Sequence, residues 1–235
     1  MLMRILRLIA GWIISLIIAI VFFLFMFVFG HSRAWETLLP LWAKCCRLIF
    51  GIQIKIEGEQ WLKGPAIFLM AHRTAADIFV LPSVTPAKST FIAKAEVAKV
   101  PFVAQAMRAA NCIFVDRKNR ESAIASIRAG LDKLPKDYSL LIFPEGTRAH
   151  THAVLPIKKG PLYMAKESGL PIVIIGQSGA EKIGMGKSIL LSSGTIKLCV
   201  SEPMANIDWD HISTDHVAET IRIKMQELCD RAANM

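Results

Sequence analysis

The strongest feature of the hydropathy pattern lies at the start of the chain. From Leu8 to Gly30 there are 23 residues without a charge, rich in Ile, Phe, Leu and Val. As a helix this run reaches ~35 Å at ~1.5 Å per residue, enough for a bilayer core of ~30 Å. It exceeds the ~7–15 residues of a signal-peptide core, and no A-x-A cleavage site follows it. The pattern therefore predicts a retained hydrophobic membrane helix over 8–30. A second helix is predicted over 34–50. On it Glu36, Lys44 and Arg47 share one narrow face, and Trp35, Leu38, Leu39, Trp42 and Ile49 fill much of the rest. Pro40 predicts a kink. This amphipathic pattern suits the headgroup region, where Trp concentrates, and equally an ordinary core-packing helix.

Beyond Gly51 the period changes. Ile52, Ile54 and Ile56 alternate with Gln53, Lys55 and Glu57, the pattern of a half-buried strand. Short apolar runs recur at Ala66–Met70, Thr90–Ala93, Cys112–Val115, Leu140–Phe143, Ile172–Gly176 and Thr195–Val200. Helical patterns at Arg120–Leu134, Ile157–Ser168 and Thr214–Ala232 separate several of them. The alternation predicts an α/β fold with a mixed, largely parallel sheet, in which functional residues sit at strand ends and in the loops that follow. With 235 residues the chain holds one such domain. The expected division is an anchor over 1–50 and a globular domain over 51–235.

Composition narrows the partners. The chain is 53% hydrophobic and carries a net charge of +9. A basic balance suits anionic membrane lipids, phosphorylated substrates or nucleic acid. No aromatic-basic motif accompanies the charge, which argues against nucleic acid, and the apolar anchor favours lipid. Five cysteines, an odd number without C-x-x-C spacing, point away from zinc or a disulfide framework and toward a reducing, cytosol-facing domain. Arg4 and Arg7 precede the apolar run and Arg33 follows it, so the positive-inside rule assigns no orientation. A single span puts the N-terminus outside if the globular domain is cytoplasmic. A half-inserted, monotopic pair of helices is the alternative.

Two clusters carry candidate chemistry. His72 and Asp77 follow the run Ala66–Met70. Five residues apart on one helix they would diverge by roughly 140°, so they meet only if His72 lies in the turn before a helix. Thr74 and Asp77 fit an N-cap and N3 pair, which starts the helix at Thr74. A loop histidine backed by a carboxylate is a base and its orienter. The second cluster is Phe143-Pro144-Glu145-Gly146-Thr147-Arg148, a turn after Leu140–Phe143. There Gly146 allows close approach to the backbone, and the Arg148 guanidinium suits bidentate binding of phosphate. Lys94 and Arg117 each follow an apolar run and are expected to line the same strand-end crevice.

In order and spacing these segments resemble the four motif blocks of the 1-acylglycerol-3-phosphate acyltransferase family, within the glycerolipid acyltransferase superfamily. His72 to Asp77 is similar to its H-x4-D block. Lys94 to Arg117, ending Phe114-Val115-Asp116-Arg117, resembles the second block. Phe143 to Arg148 matches the third at every position, and Gly169-Leu170-Pro171-Ile172-Val173 resembles the fourth. Ala71, Asn111 and Ile174 depart from the usual Asn, Gly and Pro, as does the run Ala149-His150-Thr151-His152.

The resemblance implies acyl transfer from acyl-CoA or acyl-carrier protein to the sn-2 hydroxyl of 1-acyl-glycerol 3-phosphate, giving phosphatidic acid, with neither metal nor redox cofactor. It implies His72 as base, Asp77 as its partner, and Lys94, Arg117 and Arg148 as phosphate ligands. Glu145, Gly146 and Thr147 would form the acceptor pocket, with the Gly146 N–H facing the oxyanion. The expected location is the cell inner membrane, with the globular domain in the cytoplasm. Another lyso-lipid acceptor, such as a lyso-ornithine lipid, is the near alternative. A non-catalytic lipid-binding protein of the same fold is the distant one.

Overall fold

The computed structural model describes residues 1–99, 103–116, 119–149, 151–184 and 188–235. The alternating stretch and all six apolar runs form strands: β1 (Ile52–Glu57), β2 (Ile67–Met70), β3 (Ser89–Lys94), β4 (Ile113–Val115), β5 (Ser139–Ile142), β6 (Ile172–Ser178) and β7 (Gly194–Val200). They make one sheet in the order β1-β7-β6-β2-β5-β3-β4. Every pairing is parallel except β6 with β7. Five strands, β6-β2-β5-β3-β4, therefore point the same way. Their C-terminal ends share one edge, and both chemical motifs leave from it.

Helices cover both faces. α3 (Asp77–Val84) lies on one side with α2 (His31–Ile49), and α5 (Arg120–Lys133), α6 (Lys159–Ser168) and α8 (Thr214–Asn234) lie on the other. Strand alternation splits the core accordingly. Phe68 and Met70 of β2 pack with Phe79, Leu81 and Cys46 on the first side. Ile67 and Leu69 pack with Leu162, Ile221 and Met225 on the second. Because the central strands are buried on both faces, they read as continuous apolar runs rather than alternating ones. Two further helices, α4 (Val103–Ala109) and α7 (Ala180–Ile183), are short and lack a long periodic pattern. Gly176 brings α8 close to β6: a Cβ there would lie 2.4 Å from the Cys229 backbone nitrogen.

The N-terminal pair forms a hairpin. α1 (Leu2–Phe29) starts before the uncharged run, taking Arg4 and Arg7 into its first turns, and Gly30 (φ 83°) turns the chain into α2. α1 then lies antiparallel along α2. Gly11 abuts Phe50, Trp42 donates to the Ser15 hydroxyl at 2.9 Å, and the rings of Phe22 and Trp35 meet edge to face. α2 runs through Pro40 as one helix. Its Ala43 and Cys46 join the domain core, while Ala34 and Leu38 pack with Phe22 of α1. Polar bonds also tie α2 to the domain: Trp35 donates to the Ser89 carbonyl at 2.8 Å, and the Tyr138 hydroxyl donates to Glu36 at 2.8 Å. α1 keeps a long apolar face uncovered, including Trp12, Leu16, Ile20, Leu24 and Phe27. It is long and apolar enough to cross a membrane.

Candidate active site

β2 stops pairing with β6 at Met70, and one more backbone bond, Ala71 N–H to the Ile175 carbonyl, closes the ladder. The buried loop that follows needs acceptors for its amides. Asp77 supplies them by turning back across the loop. Its Oδ2 accepts from the N–H of Arg73 (2.7 Å), the N–H of Thr74 (2.9 Å) and His72 Nδ1 (2.7 Å). This is one half of the expected cap. The other half is absent, since the Thr74 hydroxyl accepts from Ala76 N–H and α3 begins at Asp77 rather than Thr74. The local bend that replaces a first helical turn is what lets His72 and Asp77 meet.

Glu145 holds the loop from the other side. Its Oε1 accepts the His72 N–H at 2.8 Å, and its Oε2 accepts the Leu155 N–H at 2.8 Å. Arg73 Nη1 lies 3.0 Å from Oε1, and both side chains are buried. Arg73 also donates to the His152 carbonyl, and Ala149 N–H donates to the His72 carbonyl. Glu145 therefore lies behind the histidine loop and not in an acceptor pocket, which corrects the sequence expectation. Burial leaves its carboxylate no open face.

The Asp77 carboxylate only accepts, so the ring proton of the neutral His72 sits on Nδ1. That tautomer leaves Nε2 as the basic nitrogen. The ring is 14% exposed and stacks on Phe143, with centroids 4.1 Å apart. Rotation of the imidazole is blocked on one face by Phe143 and at Nδ1 by Asp77.

The remaining expected residues separate. Arg148 is half-buried, and its Nη1 is buried with no hydrogen-bond partner among the described residues. A buried cationic donor of this kind is costly unless an anion meets it. Lys94 stands exposed at the end of β3. β5 lies between it and β2, about 10 Å away by strand spacing. Thr147 is exposed. The Gly146 N–H donates to the Phe143 carbonyl at 3.1 Å, so the turn itself uses the donor expected to face an oxyanion; the φ of 73° explains the glycine. Arg117 lies outside the described residues, as does His150.

Sequence reasoning missed Arg73 and Gln177. Arg73 falls inside the H-x4-D block with no role assigned to it, although it is 2% exposed. Gln177 lies one residue beyond the predicted run Ile172–Gly176, yet its amide reaches both Ala71 O and Asp77 Oδ1. A lone amide closing a fully buried strand was the available signal. His152 bonds Asp230 of α8 at 2.9 Å, and Gln226 holds the Val154 N–H, so α8 clips the loop that reaches Arg73 and Glu145. The Gln226 amide, and after it His152, hold the Asp230 carboxyl below the usual carboxylate range. Among the described residues no group of three His, Cys, Asp or Glu side chains is arranged to hold a metal.

This geometry has known counterparts. A family model described as acyltransferase matches residues 53–177, more than half of the chain and the whole span from β1 to Gln177. The chain belongs to the acyltransferase family. Among curated relatives, the chain is 31% identical over 203 residues to the 1-acyl-sn-glycerol-3-phosphate acyltransferase of Saccharomyces cerevisiae, covering 83% of this chain and 65% of that protein. It is 33% identical to the enzyme of the same name from Cocos nucifera, covering 74% of this chain and 56% of the relative. The chain thus spans under two thirds of the length of these relatives. A crystal structure of the 1-acyl-sn-glycerophosphate (LPA) acyltransferase PlsC from Thermotoga maritima shares the fold. Its TM-score is 0.76 at 21% identity, with 96% of this chain and 95% of that chain covered.

Arg73→Met should leave Glu145 charged and buried beside an apolar side chain. Losing one partner of such a pair costs about 3–5 kcal/mol. Equilibrium denaturation should register that loss, and Arg73→Lys should restore part of it. A loss below about 1 kcal/mol, the range of an exposed pair, would show that the pair is solvated.

Proposed function

We propose that this protein transfers a fatty acyl group from the thioester of acyl-CoA or acyl-carrier protein to the sn-2 hydroxyl of 1-acyl-sn-glycerol 3-phosphate, giving phosphatidic acid. The observation that carries the reading is the His72–Asp77 pair at 2.7 Å, which holds the ring proton on Nδ1 and leaves Nε2 as the base. The names of the curated relatives support the choice of acceptor.

His72 Nε2 accepts the proton of the attacking hydroxyl as its oxygen bonds to the thioester carbon. Asp77 holds the ring and stabilises the imidazolium that forms. The tetrahedral intermediate collapses, the carbon–sulfur bond breaks, and the imidazolium returns its proton to the departing thiolate. The lipid hydroxyl attacks directly, with no acyl-enzyme. No cysteine lies in either motif, and burial pushes the thiols of Cys112, Cys199 and Cys229 above their ordinary range. Arg148 meets the phosphate with its Nη1, which has no hydrogen-bond partner among the described residues, and Lys94 at the end of β3 and Arg117 are the further phosphate ligands of this reading.

His72→Ala in folded protein should lower turnover by about 10²–10⁴-fold. Arg148→Lys keeps the charge and loses the planar fork. It should raise KM for the lyso-lipid, lowering kcat/KM by roughly tenfold or more, and leave KM for the thioester unchanged. An effect confined to the thioester would move Arg148 to the donor site. Equal rates with phosphate-bearing and phosphate-free lyso-lipids would refute phosphatidic acid synthesis.

The same reading places the protein on the cytoplasmic side of the cell inner membrane, half-inserted among anionic lipids. Support comes from the hairpin. α1 lies along α2, and α2 is part of the domain core, so an upright spanning α1 would draw the domain into the bilayer. The uncovered face of α1 instead suits one leaflet. In a Cys45→Ser background, Met3→Cys and Phe29→Cys should both react with a membrane-impermeant maleimide in inside-out vesicles, and neither in right-side-out vesicles. Labelling of the two ends from opposite sides would establish a span.

A further inference from the structure

We propose that Gln177 is a positioning residue for the histidine base, acting through Asp77; this rests on reading His72 as that base. Gln177 stands near the end of β6, 1% exposed, beside the loop that leaves β2. Its Nε2 lies 2.5 Å from the Ala71 carbonyl oxygen and 3.1 Å from Asp77 Oδ1. Both partners only accept, and the amide nitrogen carries two hydrogens, so one group satisfies both. The flipped amide would set an oxygen against two oxygens, so the chemistry of the neighbours fixes the orientation.

The opposite end of the amide sharpens the inference. Gln177 Oε1 is buried with no hydrogen-bond partner among the described residues. An apolar side chain of the same length would avoid that cost, so the donor pair is the property that an amide adds here. What the pair holds is specific. Asp77 Oδ2 is held by His72 Nδ1 and two backbone amides, while Oδ1 receives the Gln177 amide. Held at both oxygens, the carboxylate cannot pivot about its own Cβ–Cγ bond and carry Oδ2 away from Nδ1. The second bond fixes the carbonyl just before His72, beyond the last β2–β6 pair, Met70 with Ile175. The strand next to the loop thus fixes both the residue before the base and the carboxylate behind it.

The test uses the full-length protein in detergent micelles. Gln177→Met keeps the length and removes both donors. We expect kcat to fall about tenfold to a hundredfold, the worth of one hydrogen bond to a charged group. KM for lyso-lipid and thioester should each stay within about twofold, as for an interaction expressed in turnover alone. In an Asp77→Asn background the same substitution should cost nothing further, because its effect passes through Asp77. A raised KM with unchanged kcat, or a loss that adds fully to that of Asp77→Asn, would overturn the proposal. If Gln177→Met does not fold, Gln177→Asn keeps the amide but is one methylene too short to span both acceptors, and the same outcomes apply.

A second readout is independent of the reaction: the His72 Nδ1 proton resonance, assigned by its loss in His72→Ala. It should shift upfield in the Gln177 variant as the bond to Asp77 loosens. A shift in protein that acylates no lyso-lipid would keep the positioning role and discard the proposed function. An unmoved resonance with unchanged kcat in active protein would do the reverse.

Discussion

A buried loop must find acceptors for its own amides, and in this protein two carboxylates provide them. The chain leaves β2 at Met70 and has no strand to pair with until α3 begins. Glu145 takes the N–H of His72, and Asp77 takes those of Arg73 and Thr74. The same Asp77 oxygen then accepts from the imidazole. Satisfying the backbone and orienting the base are therefore one structural act. Most buried amides in proteins are paired by secondary structure; here side chains do it, and the residues that do it belong to the two motifs.

Two buried carboxylates in one place need positive charge. Arg73 supplies one cation permanently, paired to Glu145. The second appears only when His72 takes a proton beside Asp77. A site that is anionic at rest favours an imidazolium at His72, because the resident field stabilises charge that develops there, which is what the proposed reaction requires. Arg148 belongs to a different part of this balance. Its Nη1 is buried with no hydrogen-bond partner among the described residues, a cost that an anion would offset.

Much of this was legible in the sequence. Six apolar runs and one alternating stretch predicted the seven strands, because strands buried on both faces announce themselves by composition and the half-buried β1 by its period. The start of α3 was misjudged at Thr74. A cap is a local pattern, whereas the Asp77 carboxylate is drawn backward by a histidine that only the bend brings near. Glu145 and Gly146 were expected to face substrate because motif position says nothing about side-chain direction. Burial turned Glu145 inward, and the turn's own hydrogen bond claimed the Gly146 N–H. Arg73 and Gln177 were invisible for a related reason: their partners come from segments more than seventy residues away. The amphipathic pattern of α2 suited either the headgroup region or a core-packing helix; Ala43 and Cys46 join the domain core, and Glu36 of the polar face bonds Tyr138 of the domain.

The loop holds the His72 ring at one edge of the sheet, in a domain whose N-terminal helix leaves an apolar face uncovered. The central claim is that the Asp77 carboxylate sets the tautomer of that ring. Asp77→Asn tests it most directly, with single-turnover acyl transfer measured alongside equilibrium binding of lyso-lipid. Three N–H groups meet at Oδ2, so the amide oxygen stays there and the substitution removes the negative charge that holds the proton on Nδ1 and stabilises the imidazolium. The account predicts a fall in the chemical step of about 10²–10⁴-fold, the worth of general-base catalysis, with lyso-lipid binding retained. A folded Asp77→Asn protein whose chemical step stays within a few-fold of normal would contradict it.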